Sequence, residues 1–536
     1  MRTGKEYRAS LKDGRSVYVL GIGQIDDITT HPATKSMVDA YALWYDRLND
    51  LAWHDRVLTP PDAKGHRRPI AFQVPQCEDD LKRLGRQISA TLFPSGGNMT
   101  HTPGYGALIA LGLLDTLHAM KLSEAEIAIA AAYRDDLART GRFLTFSAGG
   151  APAGVRFSKR EEDRAAIRLV RETDGGIIIS GKISMHTSSP FADDVFIAGA
   201  TRLRETDEHY SWFIIPVNAP GVRLIARKPS ARYENPFLSP MTHQFDELDA
   251  MMWLDDVFLP WERVFKAESP LGAAQTSGHP LGGGHHRRSN LMAWLFWHQH
   301  YCWLAKAEFT LGLALAAADA MGSKESRPII EQLTDMVIDV QTARSCTIAA
   351  ECDPELSDGG FLMPGQLHVA SASLHTLHAR QRLAETARRI PGSSVVVAPS
   401  DQDFENEAIA AGLEQSFGGK GYTARQRAAL LNLIWDNVSS HLDGRESTYE
   451  MHAGGGVTLW RNQMRVLFPS YDELANGVLD AIAMDMPKID MSSLQNPLPP
   501  RRAAQVAVPT PASAVAAVIE KAAAAVEVEP AGAKTP

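Results

Sequence analysis

The spacing of apolar positions divides the chain into stretches of different character. Up to about residue 145 it is mainly helical, as in Ser123-Glu-Ala-Glu-Ile-Ala-Ile-Ala-Ala-Ala-Tyr-Arg-Asp-Asp-Leu-Ala-Arg139. Ser123 can cap this segment, acids occupy its first turn, Arg134 and Arg139 lie towards its end, and Gly141 follows as a stop. From Ile167 to about Phe265 the chain breaks into short β-type runs. Ile167-Arg-Leu-Val-Arg, Gly176-Ile-Ile-Ile-Ser, Asp194-Val-Phe-Ile-Ala and Tyr210-Ser-Trp-Phe-Ile-Ile-Pro216 are such runs, and Asn218-Ala-Pro-Gly221 is a turn. Residues 290 to about 485 are helical again. Lys306 to Asp319 is apolar on most faces, which predicts a helix interior to a bundle or to a subunit interface. From Pro497 the Pro/Ala/Val-rich sequence has little to bury and predicts a disordered tail.

The expected organisation is α+β: an N-terminal helical domain over 1–145, a β-barrel or sandwich over 146–275, a C-terminal helix bundle over 276–490 and a tail over 491–536. A chain of 536 residues is too long for one simple core, which agrees with several domains. The net charge of −9 argues against a nucleic-acid partner, which would call for a basic stripe. The cysteines, Cys77, Cys302, Cys346 and Cys352, are few and irregularly spaced, so no disulfide framework is expected and a reducing compartment fits. Leu304 to Ala320 contains Lys306 and Glu308 and falls short of a membrane span, and the N-terminus lacks the apolar core of a secretory signal. A cytoplasmic protein is expected.

Two glycine-rich stretches invite functional readings and fail them. Tyr18-Val-Leu-Gly-Ile-Gly23 lacks the third glycine of a dinucleotide fingerprint and is followed by Asp26-Asp27, so a small hairpin is expected. Gly282-Gly-Gly-His-His286 lacks the spacing and third ligand that zinc needs, so no metal site is expected.

Phe245-Asp-Glu-Leu-Asp-Ala-Met-Met-Trp-Leu-Asp-Asp-Val-Phe-Leu-Pro-Trp-Glu-Arg-Val-Phe265 reads structurally as the last strand of the β-domain handing over to a helix, with Trp261 packing the corner. Its residue order also resembles the large oxygenase component of the 4-hydroxyphenylacetate 3-monooxygenase family. So do Met1-Arg-Thr-Gly-Lys-Glu-Tyr7 with Asp26-Asp-Ile-Thr-Thr-His-Pro32, His101-Thr-Pro-Gly-Tyr105, Pro190-Phe-Ala-Asp-Asp-Val195, and the set Trp435-Asp, Gly444-Arg445, Tyr449-Glu450 and Ala453-Gly454. These segments occur in the family's order. The resemblance implies an acyl-CoA dehydrogenase-like fold, with a flavin between β-domain and bundle, and a homotetramer.

It also implies a two-component monooxygenase. A separate NAD(P)H:flavin reductase supplies reduced FAD, and the oxygenase reacts it with O2 to a flavin C4a-hydroperoxide that hydroxylates a small aromatic substrate. The absence of a nicotinamide fingerprint agrees with reduction elsewhere. Such chemistry needs a dry site and a group that accepts or polarises a phenolic proton. In the family this falls to an Arg, a Tyr and a His. Here the Arg position is His101, the Tyr position is Tyr105, and counting back from Pro152 puts Ser147 at the His position, with Phe146 as the neighbouring register. His101 can take over the base role. The flavin would meet Ala153, Gly154, Val155 and Arg156, then Thr187, then His452, Ala453, Gly454 and Gly455. Gly199-Ala200 stand beside Thr201 where the family offers hydroxyls to an acetate arm, so a phenol or N-heteroaromatic substrate is expected instead of 4-hydroxyphenylacetate.

Two alternatives share the superfamily. A 4-hydroxybutyryl-CoA dehydratase-like lyase needs paired cysteines for a [4Fe–4S] cluster. Ser95 to His101 offers none, Cys77 stands alone, and Cys302 follows His298 and His300 too closely. An acyl-CoA dehydrogenase-like oxidoreductase needs a carboxylate base, for which Glu308 or Glu446 could stand.

Overall fold

The computed structural model describes residues 1–148, 150, 167–204, 206–230, 235–267, 290–419, 421–452, 456–482, 484–492 and 494. The expected site residues Ala153, Gly154, Val155, Arg156, Ala453, Gly454 and Gly455, the Gly/His loop and the tail from Pro497 lie outside them.

The β-type runs pair into two sheets. The first contains β1 (Val17–Val19), β2 (Gly23–Ile25), β4 (Ile167–Thr173), β5 (Gly176–Thr187), β8 (Val222–Ala226) and β9 (Asp249–Pro260), in the order β2-β1-β8-β9-β5-β4. The second contains β3 (Leu144–Ser147), β6 (Asp194–Thr201), β7 (Tyr210–Pro216) and β10 (Val264–Ala267), in the order β10-β7-β6-β3. Ile177, Ile179, Ile183, Met252 and Leu254 of the first share one core with Val195, Ile197, Phe213 and Ile215 of the second. Alternating apolar residues on facing strands bury each other in this way. The expected hairpin at Tyr18–Gly23 is there, as β1 antiparallel to β2.

Two expectations are corrected. Among the described residues the strands close no barrel: β2 and β4 end one sheet, β10 and β3 the other. The expected hairpin β1–β2 and the strand β3, at the expected boundary of the β-domain, extend the sheets sideways. Nor does β9 hand over to a helix. A single 3-10 turn, Trp261–Arg263, leads into β10, whose Phe265 and Ala267 are buried while Lys266 is exposed, the period of a strand. Trp261 remains 37% exposed and donates its indole N–H to the Asp174 carbonyl (3.2 Å).

The helices pack around these sheets. Those that shape the site are α1 (Lys35–Arg47), α2 (Pro103–Ala119), α3 (Glu124–Thr140), α4 (Pro240–Phe245), α5 (Asn290–Ala320), α6 (Arg327–Cys352), α7 (Gln366–Arg389), α8 (Ala424–Val438) and α9 (His441–His452). Ser123 caps α3 in a reciprocal box with Glu126, and Gly141 ends it at a positive φ of 67°. α2 is buried from Pro103 to Leu117 because glycines admit its neighbours. A Cβ at Gly106 would stand 2.5 Å from the Leu144 carbonyl oxygen of β3, and one at Gly112 would stand 2.8 Å from Cα of Leu291 in α5. The Asp436 carboxylate of α8 accepts the N–H groups of Met241 and Thr242 (2.7 and 2.8 Å) and the Thr242 hydroxyl, docking α4 on the bundle.

The close approach at Gly106 gives a test. Gly106→Ala should push β3 away from α2 and lower stability by about 1–3 kcal/mol, the usual range for overpacking a core. Thermal melting of the purified variant measures this, and an unchanged midpoint would refute the packing argument.

Candidate active site between sheet and bundle

Thr102 caps α2, accepting the Tyr105 N–H (3.3 Å), with Pro103 in the first turn. His101 therefore stands just ahead of a fixed helix start. Its imidazole is buried, with 4% of the residue exposed, and Nδ1 lies 2.8 Å from Thr145 Oγ1. Thr145 Oγ1 lies 2.8 Å from the Thr187 carbonyl, which can only accept, so Thr145 spends its single proton there. His101 Nδ1–H must then donate to Thr145, which leaves the lone pair on Nε2.

That lone pair faces an aromatic group. Tyr449 Oη lies 3.4 Å from Nε2, the Tyr105 ring centroid 4.6 Å from the imidazole, and the His298 ring 4.9 Å from Tyr105. Tyr449 Oη also lies 3.2 Å from Gln299 Oε1, and Gln299 Nε2 is buried without a partner. Burial, with help from Arg445, pushes His101 down to about 3. Burial, then neighbouring His101, takes His298 to about 3. Burial raises the phenols of Tyr105 and Tyr449. At neutral pH the cage is uncharged.

Beside the cage lies a buried charged layer. Arg445 of α9 binds Asp249 through two nitrogens (2.6 and 2.9 Å), pairs with Glu446 (2.5 Å), and lies over the Tyr449 ring, 4.8 Å from its centroid. Asp249 also accepts from Thr187 Oγ1 (2.9 Å) and Arg227 Nε (3.0 Å). Burial would raise the Asp249 carboxyl, but Arg445 and Arg227 hold it well below the usual range. Lys306 of α5 joins Glu446 and Glu450 (2.6 and 2.9 Å), and Arg380 of α7 joins Glu450 and Asp443 (2.6 and 2.9 Å).

Residues 3–266 match the family model described as 4-hydroxyphenylacetate 3-hydroxylase N terminal, and residues 285–473 match the one described as its C terminal. The chain belongs to the 4-hydroxyphenylacetate 3-hydroxylase family. Among its relatives is a 4-nitrophenol 4-monooxygenase/4-nitrocatechol 2-monooxygenase oxygenase component from Rhodococcus opacus, 28% identical over 86% of this chain and 87% of that one. Another is the 4-hydroxyphenylacetate 3-monooxygenase oxygenase component from Thermus thermophilus, 27% identical over 84% of this chain and 91% of that one. In fold the chain resembles a 4-hydroxyphenylacetate 3-monooxygenase oxygenase component complexed with FAD and 4-hydroxyphenylacetate. That likeness has a TM-score of 0.78 at 24% identity, covering 90% of this chain and 99% of that one. An archaeal 4-hydroxybutyryl-CoA dehydratase shares the fold with a TM-score of 0.75 at 19% identity, covering 91% of this chain and 97% of that one.

The structure brings the rings of His101 and Tyr105 together, 4.6 Å between centroids. Ser147 is buried at the end of β3, and Thr145, two residues earlier on the same face, is the residue bonded to the imidazole. A strand's period of two puts both on one side and turns Phe146 away. Thr187 has its hydroxyl committed to Asp249 and its carbonyl to Thr145. His452 is exposed, its Nδ1 2.7 Å from the Thr448 carbonyl. Sequence reasoning missed Thr145, Glu247, His298, Gln299 and Tyr449 as parts of the site. A polar run inside an apolar helix, His298-Gln-His300, was the signal available for two of them.

The residues present suit a flavin better than an iron–sulfur cluster. Buried polar atoms without partners, His186 Nε2 and Ser189 Oγ at the end of β5 and Gln299 Nε2 in the bundle, are what a heteroatom-rich ring would engage. Cys302 has His298 Nδ1 at 3.7 Å but no second thiol, since Cys77 and Cys352 are exposed elsewhere and Cys346 is half-buried. Glu308 is paired with Arg344 (2.6 Å), and Glu446 with Lys306 and Arg445, so neither stands ready as a dehydrogenase base.

The buried carboxyls give stability two opposite pH slopes. Asp249 is depressed when folded, so its contribution is complete above the ordinary aspartate value of about 3.9 and is lost as pH falls below it. Burial raises Glu247 to about 7, with Arg445 opposing. Its contribution is therefore full below about 4.3 and is lost as pH climbs towards 7. Melting curves across pH should show Asp249→Asn flattening the acid limb and Glu247→Gln flattening the decline towards neutrality. Unchanged limbs would refute these assignments.

Proposed function

We propose that this chain is the oxygenase component of a two-component monooxygenase that hydroxylates a phenol or N-heteroaromatic ring. The observation that carries the reading is the neutral His101 Nε2 lone pair, presented to a buried aromatic cage between sheet and bundle. The acyl-CoA dehydrogenase-like plan supports placing FAD at that seam, and the fold relative complexed with FAD agrees. Reduced FAD, delivered by a separate NAD(P)H:flavin reductase, supplies with O2 the oxygen atom that enters the ring, the second atom leaving as water.

The chain's own residues set the rest. Tyr105 and His298, whose rings pack against each other, form an aromatic wall beside the imidazole. His101 Nε2 accepts a hydrogen bond from the substrate hydroxyl and polarises it, making the ring more electron-rich. Tyr449 Oη occupies that acceptor now and would move aside for the substrate hydroxyl. Gln299 Nε2 is a donor available to a polar ring substituent. Thr145 and Thr187 keep the imidazole in the accepting tautomer. Burial of the whole cage excludes water, which would divert the oxidant to H2O2.

Charge accounting narrows the substrate. Arg445 is taken up by Asp249 and Glu446, with Glu247 4.0 Å away, so it is no ready anchor for a ring carboxylate. A phenol without an acid arm fits this cage better than 4-hydroxyphenylacetate, in the direction of the nitrophenol-oxidising relatives. Assembly is proposed as a cytoplasmic homotetramer through the bundle, where Ile330, Val337, Ile338 and Ile348 of α6 leave an exposed apolar stripe. Among the described residues no helix is long and apolar enough to cross a membrane.

Purified protein with a generic flavin reductase and 4-nitrophenol is the direct test. The chain alone should not oxidise NADH, and with reductase it should give a hydroxylated product. His101→Ala should lower product formation by about 10²–10⁴-fold while peroxide release rises. An unchanged hydroxylation rate in that variant would remove His101 from the mechanism.

A further inference from the structure

The 245–265 segment holds one buried acid that neither the cage nor the ion pairs explain. Glu247 has no exposed surface, and each of its two oxygens accepts a donor. Oε1 accepts the backbone N–H of His101 (2.8 Å) and lies 3.2 Å from Tyr41 Oη, while Oε2 accepts the Thr100 hydroxyl (2.6 Å). Arg445 is the cation beside it, at 4.0 Å. Tyr41 of α1 donates to the His101 carbonyl (2.8 Å), so the Ser188 hydroxyl, 2.6 Å away, donates to Tyr41. The N–H and C=O of His101 are therefore both held, one by Glu247 and the other by Tyr41.

We propose that Glu247 is a positioning residue for hydroxylation: with Tyr41 it clamps the peptide of His101 on both sides and so fixes where Nε2 points. The inference rests on the reading of His101 as the acceptor of the substrate's proton. Three anchors then converge on one side chain, two on its peptide and one on Nδ1 through Thr145. Without the peptide anchors, the imidazole would still have its Thr145 bond but could swing about it. A displacement of roughly an ångström between reacting groups is enough to cost about 10²-fold in rate.

A physical alternative is that Glu247 only stabilises the fold. The two are separated by asking whether its effect passes through His101. Wild type, Glu247→Ala, His101→Ala and the double variant would be assayed for product formed per reduced flavin consumed. A second readout needs no flavin: the fraction of bound 4-nitrophenol held as phenolate, from its absorbance. Glu247→Ala should lower product per flavin by about 10- to 100-fold and lower the phenolate fraction. The double variant should be no worse than His101→Ala alone. Glu247→Gln keeps an acceptor oxygen for the His101 N–H and should stay within about threefold of wild type. Where Glu247→Ala does not fold, Glu247→Asp withdraws the carboxylate from the His101 N–H while keeping its charge, and should show the same loss. Wild-type behaviour of Glu247→Ala or Glu247→Asp would overturn the proposal, as would a further loss on top of His101→Ala. If His101→Ala itself keeps wild-type yield, the proposed function has failed, and that outcome differs from either of these.

Discussion

The ion pair between Arg445 and Asp249 joins the two halves of this molecule. Asp249 opens the central strand of the larger sheet, and Arg445 lies on α9 of the bundle. Both are buried, so each is costly to desolvate. A buried ion pair repays that cost only with good geometry and further hydrogen bonds. Two nitrogens on the carboxylate, with Arg227 and Thr187 on its remaining lone pairs, meet that condition. Through Thr187 the same carboxylate reaches the carbonyl that fixes the His101 tautomer. The sheet, the bundle and the cage between them thus share one electrostatic anchor.

Much of the architecture was legible in the sequence because it is local. The Ser123 cap, the Gly141 stop, the hairpin at Tyr18–Gly23 and the main β-runs each depend on a few neighbouring residues. What was misread depends on distant partners. Whether strands close a barrel is decided by which edges meet, and the chain after Pro260 becomes a strand because β7 is there to pair with it. No local signal carries either fact.

The site divides in the same way. His101 and Tyr105 belong to one short motif, and family resemblance reached them. Thr145 and Tyr449 reach the same imidazole from a strand and a bundle helix, Glu247 reaches its backbone from a loop, and Gln299 stands behind Tyr449; none looks unusual in its own stretch of sequence. Ser147 shares the face of Thr145, and position along a strand is readable from sequence only to the correct face. The residue order of Phe245 to Phe265 was informative about family membership, while its work inside the molecule, through Glu247 and Asp249, shows only when the His101 loop and α9 are folded against it.

The charged layer also decides how a guest can enter. α9 is tied to the sheet by Arg445 and to its neighbouring helices by Lys306 and Arg380, in pairs whose carboxylates are largely shielded from solvent. Breaking one such pair costs about 3–5 kcal/mol. Displacing the helix is therefore a rare event. The Tyr449 ring hangs from that helix by two single bonds, with Arg445 over its face and one hydroxyl proton facing both Gln299 Oε1 and His101 Nε2. Access to the imidazole is consequently a matter of one side chain turning, while the backbone that carries it stays still.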